Sequence, residues 1–292
     1  VRPRLADAKF FFDQDRKKTL ASRVEGLDKV VYHNKLGTQG ERIARVRQIA
    51  KTIVQQLGKP ELGHQADQAA MLAKTDLVTD MVGEFPELQG TMGRYYALND
   101  GLNGAVADAI EDHYKPRFAG DELPRNEVGV VVALADKLET LAGMFGIGNL
   151  PTGDRDPFAL RRHALGVVRM LVEKDLALDL ETLLVSTLPA FGDKVQDATP
   201  ALLEFIYDRL SGSLREQGFS AQEVDAVLAL QPQRLSDVQK RLEAVRAFAA
   251  LPESPALAAA NKRVGNILKK ADAVVLPQVN AAVLAEPAEK DL

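Results

Sequence analysis

The stretch EVGVVVALADKLETLAGMF, residues 127–145, carries the clearest structural signal in the chain. Its apolar residues recur every three or four positions, at Val128, Val131, Val132, Ala135, Leu138, Ala142 and Phe145. This spacing places them along one face of an α-helix. Asp136 follows Val132 by one turn, so its carboxylate is expected at the margin of the buried face. The stretch therefore predicts a core helix with an acidic side chain at its edge.

Helical spacing also dominates the sequence on both sides of this stretch, and no sustained alternation typical of β-strands is found. Further helices are predicted near residues 38–57, 65–84, 94–112 with an interruption around 99–101, 158–174, 180–188, 200–217, 221–229, 235–250 and 256–271. Thr38 is a predicted cap, and Asp156 is a second one because a proline follows it at the first helical position. The sequence therefore predicts an all-α fold.

The composition excludes several kinds of site. The 292 residues include no cysteine and only four histidines, so disulfides, thiolate nucleophiles and Cys-rich zinc sites are excluded. No apolar run approaches the roughly 20 residues that span a bilayer, and no signal peptide opens the chain, so a cytoplasmic protein without membrane contact is predicted. The net charge of -4 argues against nucleic-acid binding through the overall field. Any RNA contact must come from local basic patches.

Residues 73–90, AKTDLVTDMVGEFPELQG, place Thr75 and Asp76 together in a predicted apolar helix. This stretch resembles the helix of a metal-dependent HD domain, a phosphohydrolase family, which carries His-Asp there to bind a divalent cation. The four ligand positions of such a site correspond here to His33, Thr75, Asp76 and Asp136. Because a hydroxyl is a poor substitute for an imidazole, the resemblance implies a degenerate HD site that holds no metal.

Two interpretations of these carboxylates are open. In the first, Asp76 and Asp136 cap backbone groups or pair with Lys74, Lys137 or Arg94, and this structural interpretation is favoured. In the second, the chain is a stand-alone metal-dependent phosphohydrolase with Mn, Fe or Mg between the two carboxylates. No Gly-x-Ser-x-Gly elbow, P-loop or Gly-rich dinucleotide turn offers a competing catalytic motif.

Several passages, in order along the chain, carry a wider resemblance: RPRLADAKFFF at 2–12, KLGT at 35–38, YKPRFAGD at 114–121, ALADK at 133–137, FGIG at 145–148, DPFALRR at 156–162, LAAANKRV at 257–264 and NIL at 266–268. Together they make the chain resemble the bacterial glycyl-tRNA synthetase beta subunit. The resemblance implies one subunit of a two-component ligase that charges tRNA with glycine. It also implies that the chain is a piece of the C-terminal half of a longer subunit.

The same resemblance implies the domain organisation. Residues 1–25 would end a preceding domain, residues 26–175 would form a degenerate HD-like helical domain, and residues 176–255 would form a helical linker domain. Residues 256–292 would begin a truncated anticodon-binding domain. Amino-acid activation with ATP and Mg would belong to the separate alpha subunit, in an alpha2beta2 assembly. This chain would therefore need no cofactor and would help to position tRNA(Gly).

Three basic clusters are candidates for contact with tRNA phosphates. They comprise Arg155, Arg161, Arg162 and Arg169 near the predicted helix 158–174, Lys115 and Arg117 in the preceding loop, and Lys262, Arg263, Lys269 and Lys270 near the end. For each single residue, a solvated helix face or an ion pair within the chain is an equally open interpretation. A purely structural scaffold that holds the alpha subunit is a third possible function.

A further basic group, Arg42, Arg45 and Arg47, is distributed over more than one face of its predicted helix. Glu41 precedes Arg45 by four residues, a spacing at which the two side chains can pair on a helix surface. The pattern predicts a solvated face for this group, without a role in binding.

Overall fold

The computed structural model describes residues 2–270 and residue 286, with side chains from residue 7 onward. The described chain is all-α, as the sequence predicts. Its helices are α1 (Arg2–Asp15), α2 (Gln39–Gln56), α3 (Gly63–Leu72), α4 (Asp80–Glu84), α5 (Thr91–Asn99), α6 (Gly104–Asp112), α7 (Glu127–Gly146), α8 (Leu160–Glu173), α9 (Leu180–Val185), α10 (Thr199–Glu216), α11 (Ala221–Leu228), α12 (Val238–Ala249) and α13 (Ser254–Leu268). None of the described helices is long and apolar enough to cross a membrane.

Short 3-10 helices and one small hairpin connect these helices. The 3-10 segments are Ala21–Lys29, Pro60–Leu62, Thr75–Val78, Pro86–Leu88, Leu188–Phe191 and Leu235–Asp237. Strands β1 (Val31–His33) and β2 (Gly37–Thr38) pair in an antiparallel hairpin. This hairpin was not predicted from the sequence, because strands of three and two residues are too short to show alternation.

Residue contacts divide the chain into two units, Val1–Leu242 and Glu243–Leu292. The domain boundaries inferred near residues 25, 175 and 255 stay predictions. Of the predicted anticodon-binding segment 256–292, everything after residue 270 except residue 286 lies outside the described residues.

Helix α7 is the centre of the first unit. It packs against α2, α3, α6, α8 and α10, so the residues from Val128 to Gly146 are buried on every side of the helix. The predicted position of Asp136 at the margin of a buried face was therefore wrong, since its side chain lies fully within the protein. Helices surrounded on all sides are usually apolar, so the charged residues of α7 need partners from the neighbouring elements.

The predicted helix 65–84 is broken into α3, a 3-10 turn and α4. Two threonine hydroxyls explain the break. Thr75 donates to the carbonyl of Leu72 and Thr79 donates to that of Asp76, each at 2.6 Å. Hydroxyls that bond nearby backbone carbonyls compete with helix formation, and Thr79 then caps the start of α4. The periodicity is preserved through the break, which is why it was read as one helix.

Helix α1 is attached to the rest of the first unit through Asp15. The carboxylate of Asp15 accepts hydrogen bonds from the backbone N–H groups of Asp80 and Met81, at 3.0 and 2.9 Å, and from the hydroxyl of Tyr96, at 2.9 Å. Arg23 forms an ion pair with the same side chain. Because Asp15 is buried, these bonds are shielded from competing water.

We expect Asp15→Ala to lower the free energy of unfolding by roughly 2–4 kcal/mol, because it leaves several buried donors without an acceptor. Asp13→Ala is the matched control on α1, since Asp13 lies half exposed beside Lys9; a change of less than about 0.5 kcal/mol is expected there. All five tyrosines lie between residues 32 and 207, so urea unfolding followed by tyrosine fluorescence reports on the first unit. Equal effects of the two substitutions would contradict this role for Asp15.

Candidate functional site

A cluster of buried charges joins α2, α7 and the segment between α3 and α4. An oxygen of Asp136 lies 3.1 Å from a guanidinium nitrogen of Arg42 and 3.4 Å from the ammonium of Lys74. Glu139, one turn further along α7, accepts from Arg42 at 3.0 Å and from Arg45 at 2.8 Å. All five side chains are buried. Two carboxylates are thus held by three cations inside the first unit.

The solvated face predicted for Arg42 and Arg45 was wrong. Both guanidinium groups are buried, and Arg45 also donates to the carbonyl of Leu36 at 3.0 Å. The reason is that α2 packs on α7, which presents carboxylates on the face that the arginines meet. Glu41 pairs with Lys194 instead of Arg45 and completes a capping box with Thr38. The predicted cap at Thr38 is confirmed.

The electrostatic environment of the cluster favours a charged Asp136. Burial disfavours its ionised form, but the nearby Arg42 guanidinium and Lys74 ammonium outweigh burial and hold the pKa of Asp136 well below its ordinary value. Burial lowers the pKa of Lys74 to about 8, against the opposing attraction of Asp136. The Lys74 ammonium also lies 4.0 Å from the ring centroid of Tyr114, a cation–π contact.

The four residues assigned to a degenerate HD site have separate contacts. Asp76 accepts from the backbone N–H groups of Gly90 and Gly93, at 2.6 and 3.1 Å, at the start of α5. Thr75 bonds within its own turn. His33 lies on β1, where its Nδ1 accepts from the N–H of Lys35 at 3.1 Å.

The structural interpretation anticipated the backbone cap at Asp76 and the pairing of Asp136 with Lys74. The pairing of Asp136 with Arg42 was not anticipated. Arg94, which was named as a possible partner, pairs with Asp108 and Glu111 instead. Within residues 2–270 and 286, no group of three or more His, Asp or Glu side chains is arranged to bind a metal ion. The assignment of His33, Thr75, Asp76 and Asp136 to a degenerate HD site itself stays a prediction.

The basic residues of the Tyr114–Arg117 loop and of α8 and the loop before it divide into two groups. Arg169 is used internally, because it pairs with Glu173 at 2.6 Å and donates to the carbonyls of Ala119 and Asp121. Lys115 is likewise engaged, with Asp112 at 3.2 Å and Glu122 at 3.3 Å. Exposed residues form the second group: Arg117, Arg155 and Arg162, with Arg161 half-buried. The second group is better placed to bind a ligand.

Two cavities bring Arg117, Arg161 and Arg162 of this second group together, whereas Arg155 lines neither of them. The first, of about 230 Å³, is lined by Glu87, Gln89, Tyr114, Pro116, Arg117, Lys137, Ala159, Arg162 and His163. The second, of about 330 Å³, contains Arg161 and Arg162 from α8 with Arg209 and Arg215 from α10, beside the exposed ring of Phe118. Arg162 therefore contributes to both cavities.

Four further residues of these cavities were not predicted from the sequence: Lys137, His163, Arg209 and Arg215. Lys137 could have been noticed, because it adjoins Asp136 in a helix most of whose residues are apolar. Nothing in the local sequence links α10 to α8, since the two helices meet only in the fold. Arg209 and Arg215 also pair with Asp208 and Asp225, so their charges are partly compensated.

The start of α8 is less open to phosphate than the sequence suggested. Asp156 is not the residue directly before the helix, since Ala159 occupies that position with a left-handed φ of 54°. The Asp156 carboxylate nevertheless accepts from the N–H groups of Leu160 at 2.7 Å and Arg161 at 2.9 Å. A phosphate would have to displace this carboxylate to reach those two donors. Side chains, not the helix end, supply the positive charge here.

The last basic cluster lies in the second unit. Lys262, Arg263, Lys269 and Lys270 are all exposed. Lys262, Arg263 and Lys270 line a cavity of about 350 Å³ on the surface of α13, and Lys269 ends the helix. The structure thus brings three of the four predicted residues together around one surface cavity.

We expect Asp136→Asn to lower the free energy of unfolding by roughly 3–5 kcal/mol, because it leaves buried Lys74 and Arg42 without their shared carboxylate. Asp225→Asn, at an exposed ion pair with Arg215, should cost less than about 1 kcal/mol. Urea unfolding followed by tyrosine fluorescence measures both. A double variant, Lys74→Met with Asp136→Leu, should be less destabilised than the sum of its single changes, and strict additivity would contradict the pairing.

Two histidines should make the first unit sensitive to mild acid. Burial and the cations around them lower the pKa of His163 to about 3 and hold that of His113 well below 6.5. Below pH 6.5 the unfolded chain therefore binds protons that the folded chain does not. The free energy of unfolding consequently decreases as the pH is lowered. Between pH 7.5 and 5.5 we expect a loss of about 1 to 1.5 kcal/mol per histidine. His163→Gln should remove about half of this loss in urea unfolding, whereas an unchanged pH dependence would refute the assignment.

The fold and the cavities first define a class: an all-α protein that presents guanidinium and ammonium groups in recessed surface sites. The family model described as glycyl-tRNA synthetase beta subunit matches residues 1–229. Relatives named glycine–tRNA ligase beta subunit are 86% identical in Delftia acidovorans and 80% in Paracidovorax citrulli, each over the whole chain, and 76% in Polaromonas naphthalenivorans over 99% of it. The chain therefore belongs to the glycyl-tRNA synthetase beta subunit family. It spans about two fifths of each relative's length, 42%, 41% and 41%.

Proposed function

We propose that this chain is a tRNA-binding part of the beta subunit of a glycine–tRNA ligase. It helps to position tRNA(Gly), while a separate alpha subunit carries out the ATP- and Mg-dependent glycylation in a cytoplasmic alpha2beta2 assembly. Membership of the family supports the ligase role. The chain itself contributes binding groups and no catalytic centre in this proposal.

The observation that carries the RNA-binding part of the proposal is the sharing of Arg162 by two basic cavities. Arg117, Arg161, Arg162, Arg209 and Arg215 lie around this pair of cavities. The overall charge of -4 does not favour RNA, so a local concentration of guanidinium groups is what such binding requires. Guanidinium forks match phosphate oxygens in geometry as well as in charge. The exposed Phe118 ring beside them offers a surface on which a base can stack.

The second unit supports the same proposal independently. Its patch of Lys262, Arg263 and Lys270 is exposed, and none of the described residues that line it carries a carboxylate. We assign this patch to phosphate contacts as well, and we propose from the resemblance that it belongs to the start of an anticodon-binding region. Lys269 at the end of α13 adds a fourth positive charge.

We expect Arg161→Glu with Arg162→Glu to weaken tRNA binding by roughly ten-fold or more at ~0.1 M salt, because charge reversal removes two phosphate contacts and adds repulsion. The dependence of log affinity on log salt should become shallower by about two. Fluorescence anisotropy with labelled tRNA(Gly) at several salt concentrations measures both quantities. Lys29→Glu with Lys51→Glu gives the same charge change at exposed positions outside the cavities.

If the two double variants lose the same affinity, the cavities are not the binding surface. If neither the chain nor its variants bind tRNA but the chain captures the alpha subunit, the scaffold function replaces the proposal. The metal-dependent phosphohydrolase alternative would need Asp136 to bind a cation, whereas its oxygen contacts Lys74 and Arg42. Turnover of nucleotide phosphoesters with added Mn or Mg would nonetheless establish it.

A further inference from the structure

The cavity beside Lys137 has features that RNA contact at the surface does not require. It is formed by four separate parts of the first unit: the segment of Glu87 and Gln89, the loop of Tyr114–Arg117, the middle of α7, and the start of α8. Its volume of about 230 Å³ is below the roughly 300–1,000 Å³ usual for drug-sized ligands. The space suits a small polar group.

Lys137 is the unusual member of this cavity. Its side chain is 2% exposed, and its ammonium donates to the carbonyl of Tyr114 at 3.2 Å. Among the described residues, no carboxylate oxygen lies within 4.0 Å of that ammonium, whereas its buried neighbour Lys74 has Asp136. An ammonium has three donors, and a buried lysine is normally paired. Lys137 therefore lacks the anionic partner that its burial calls for.

The fold holds the Lys137 side chain in this position. A Cβ atom placed on Gly166 of α8 would lie 2.6 Å from Cε of Lys137 and 2.9 Å from its Cδ. Any larger residue at 166 would displace the lysine stem, so glycine is what allows α8 to pack against it. The ammonium is thus directed by packing on its stem, with Pro116 also lining the cavity.

The mouth of the cavity adds further positive charge. Arg117 and Arg162 are exposed and line it from opposite segments of chain, with one carboxylate, that of exposed Glu87, also present. His163, also in the lining, is neutral at physiological pH because burial and the nearby Lys137 lower its pKa to about 3. A neutral imidazole adds one donor and one acceptor without adding charge. The cavity therefore has a net positive lining with donors at its base and mouth.

We propose that this cavity binds one terminal phosphate group, with Lys137 at its base and Arg117 and Arg162 at its mouth. A terminal phosphate carries up to two negative charges and can enter a recess end-on. A phosphate within an RNA backbone is esterified on both sides and is better served by the larger second cavity. A terminal phosphate can come from a free mononucleotide or from the 5′ end of an RNA, and both sources present the same group. With an RNA end as the source, the inference rests on the proposed tRNA-binding function; with a free mononucleotide as the source, it stands apart from that function.

The test measures binding of inorganic phosphate and of AMP to the chain by isothermal titration calorimetry. Lys137→Met and Arg162→Gln should each weaken binding by roughly ten-fold, because each removes a charged hydrogen-bond donor. Glu87→Gln should strengthen binding, since it removes the carboxylate at the mouth. Lys51→Gln, at an exposed position outside the lining, should leave it unchanged. Circular dichroism shows whether each variant is folded, and the exposed Arg162 and Glu87 variants keep the test valid if Lys137→Met fails to fold.

Two short RNAs that differ only in a 5′-phosphate or 5′-hydroxyl distinguish the sources. A preference for the 5′-phosphate that Lys137→Met abolishes assigns the cavity to an RNA end. Binding of AMP with no preference between the two RNAs assigns it to a free nucleotide. The proposal is overturned if phosphate, AMP and the RNA terminus all fail to bind. It is also overturned if they bind but none of the substitutions at Lys137, Arg162 and Glu87 changes the affinity. Arg161 lines only the second of the two cavities. If Arg161→Glu abolishes tRNA binding while phosphate still binds, the two sites are distinct, and the phosphate proposal can then stand or fail separately from the proposed function.

Discussion

The compensation of charges along one face of α7 is the constraint on which the first unit depends. Asp136 and Glu139 are buried in a helix that has packed neighbours on all sides. Isolated carboxylates at such depth would be strongly destabilising, so the partners must be delivered by other elements. Arg42 and Arg45 come from α2, and Lys74 comes from the turn that follows α3. The packing of α2 and of that turn on α7 is thus fixed by charge as well as by apolar contact.

The distribution of charge also explains where the surface becomes basic. Asp136 and Glu139 are matched by the cations on their own side of α7, whereas Lys137 lies against α8. Within the part of the chain that the structure describes, its ammonium has only the carbonyl of Tyr114 as a partner. The unmatched ammonium lies at the base of a cavity whose mouth holds Arg117 and Arg162. A chain with a negative overall charge can therefore still present a concentrated positive site. Local placement, not net composition, decides which ligands such a surface attracts.

The sequence was sufficient for the helices and insufficient for their mutual arrangement. Periodicity identified α7, and cap chemistry identified Thr38, because both are properties of neighbouring residues. Periodicity could not reveal that α7 is enclosed on every side, so Arg42 and Arg45 were assigned to solvent. Two threonine hydroxyls interrupted a helix whose apolar spacing continued unbroken. In the candidate site, Arg117 and Arg162 were found from local charge, but Arg209 and Arg215 lie about fifty residues beyond Arg162 and meet it only through the packing of α10 on α8.

The position of Arg162 between two recesses has a thermodynamic consequence. Arg162 lines both recesses in a single conformation, so an anion in either one would draw on the same positive charge. Filling one recess would then lower affinity in the other, and by linkage the factor would be the same in both directions. Two anions would in this way compete for one guanidinium group without touching each other.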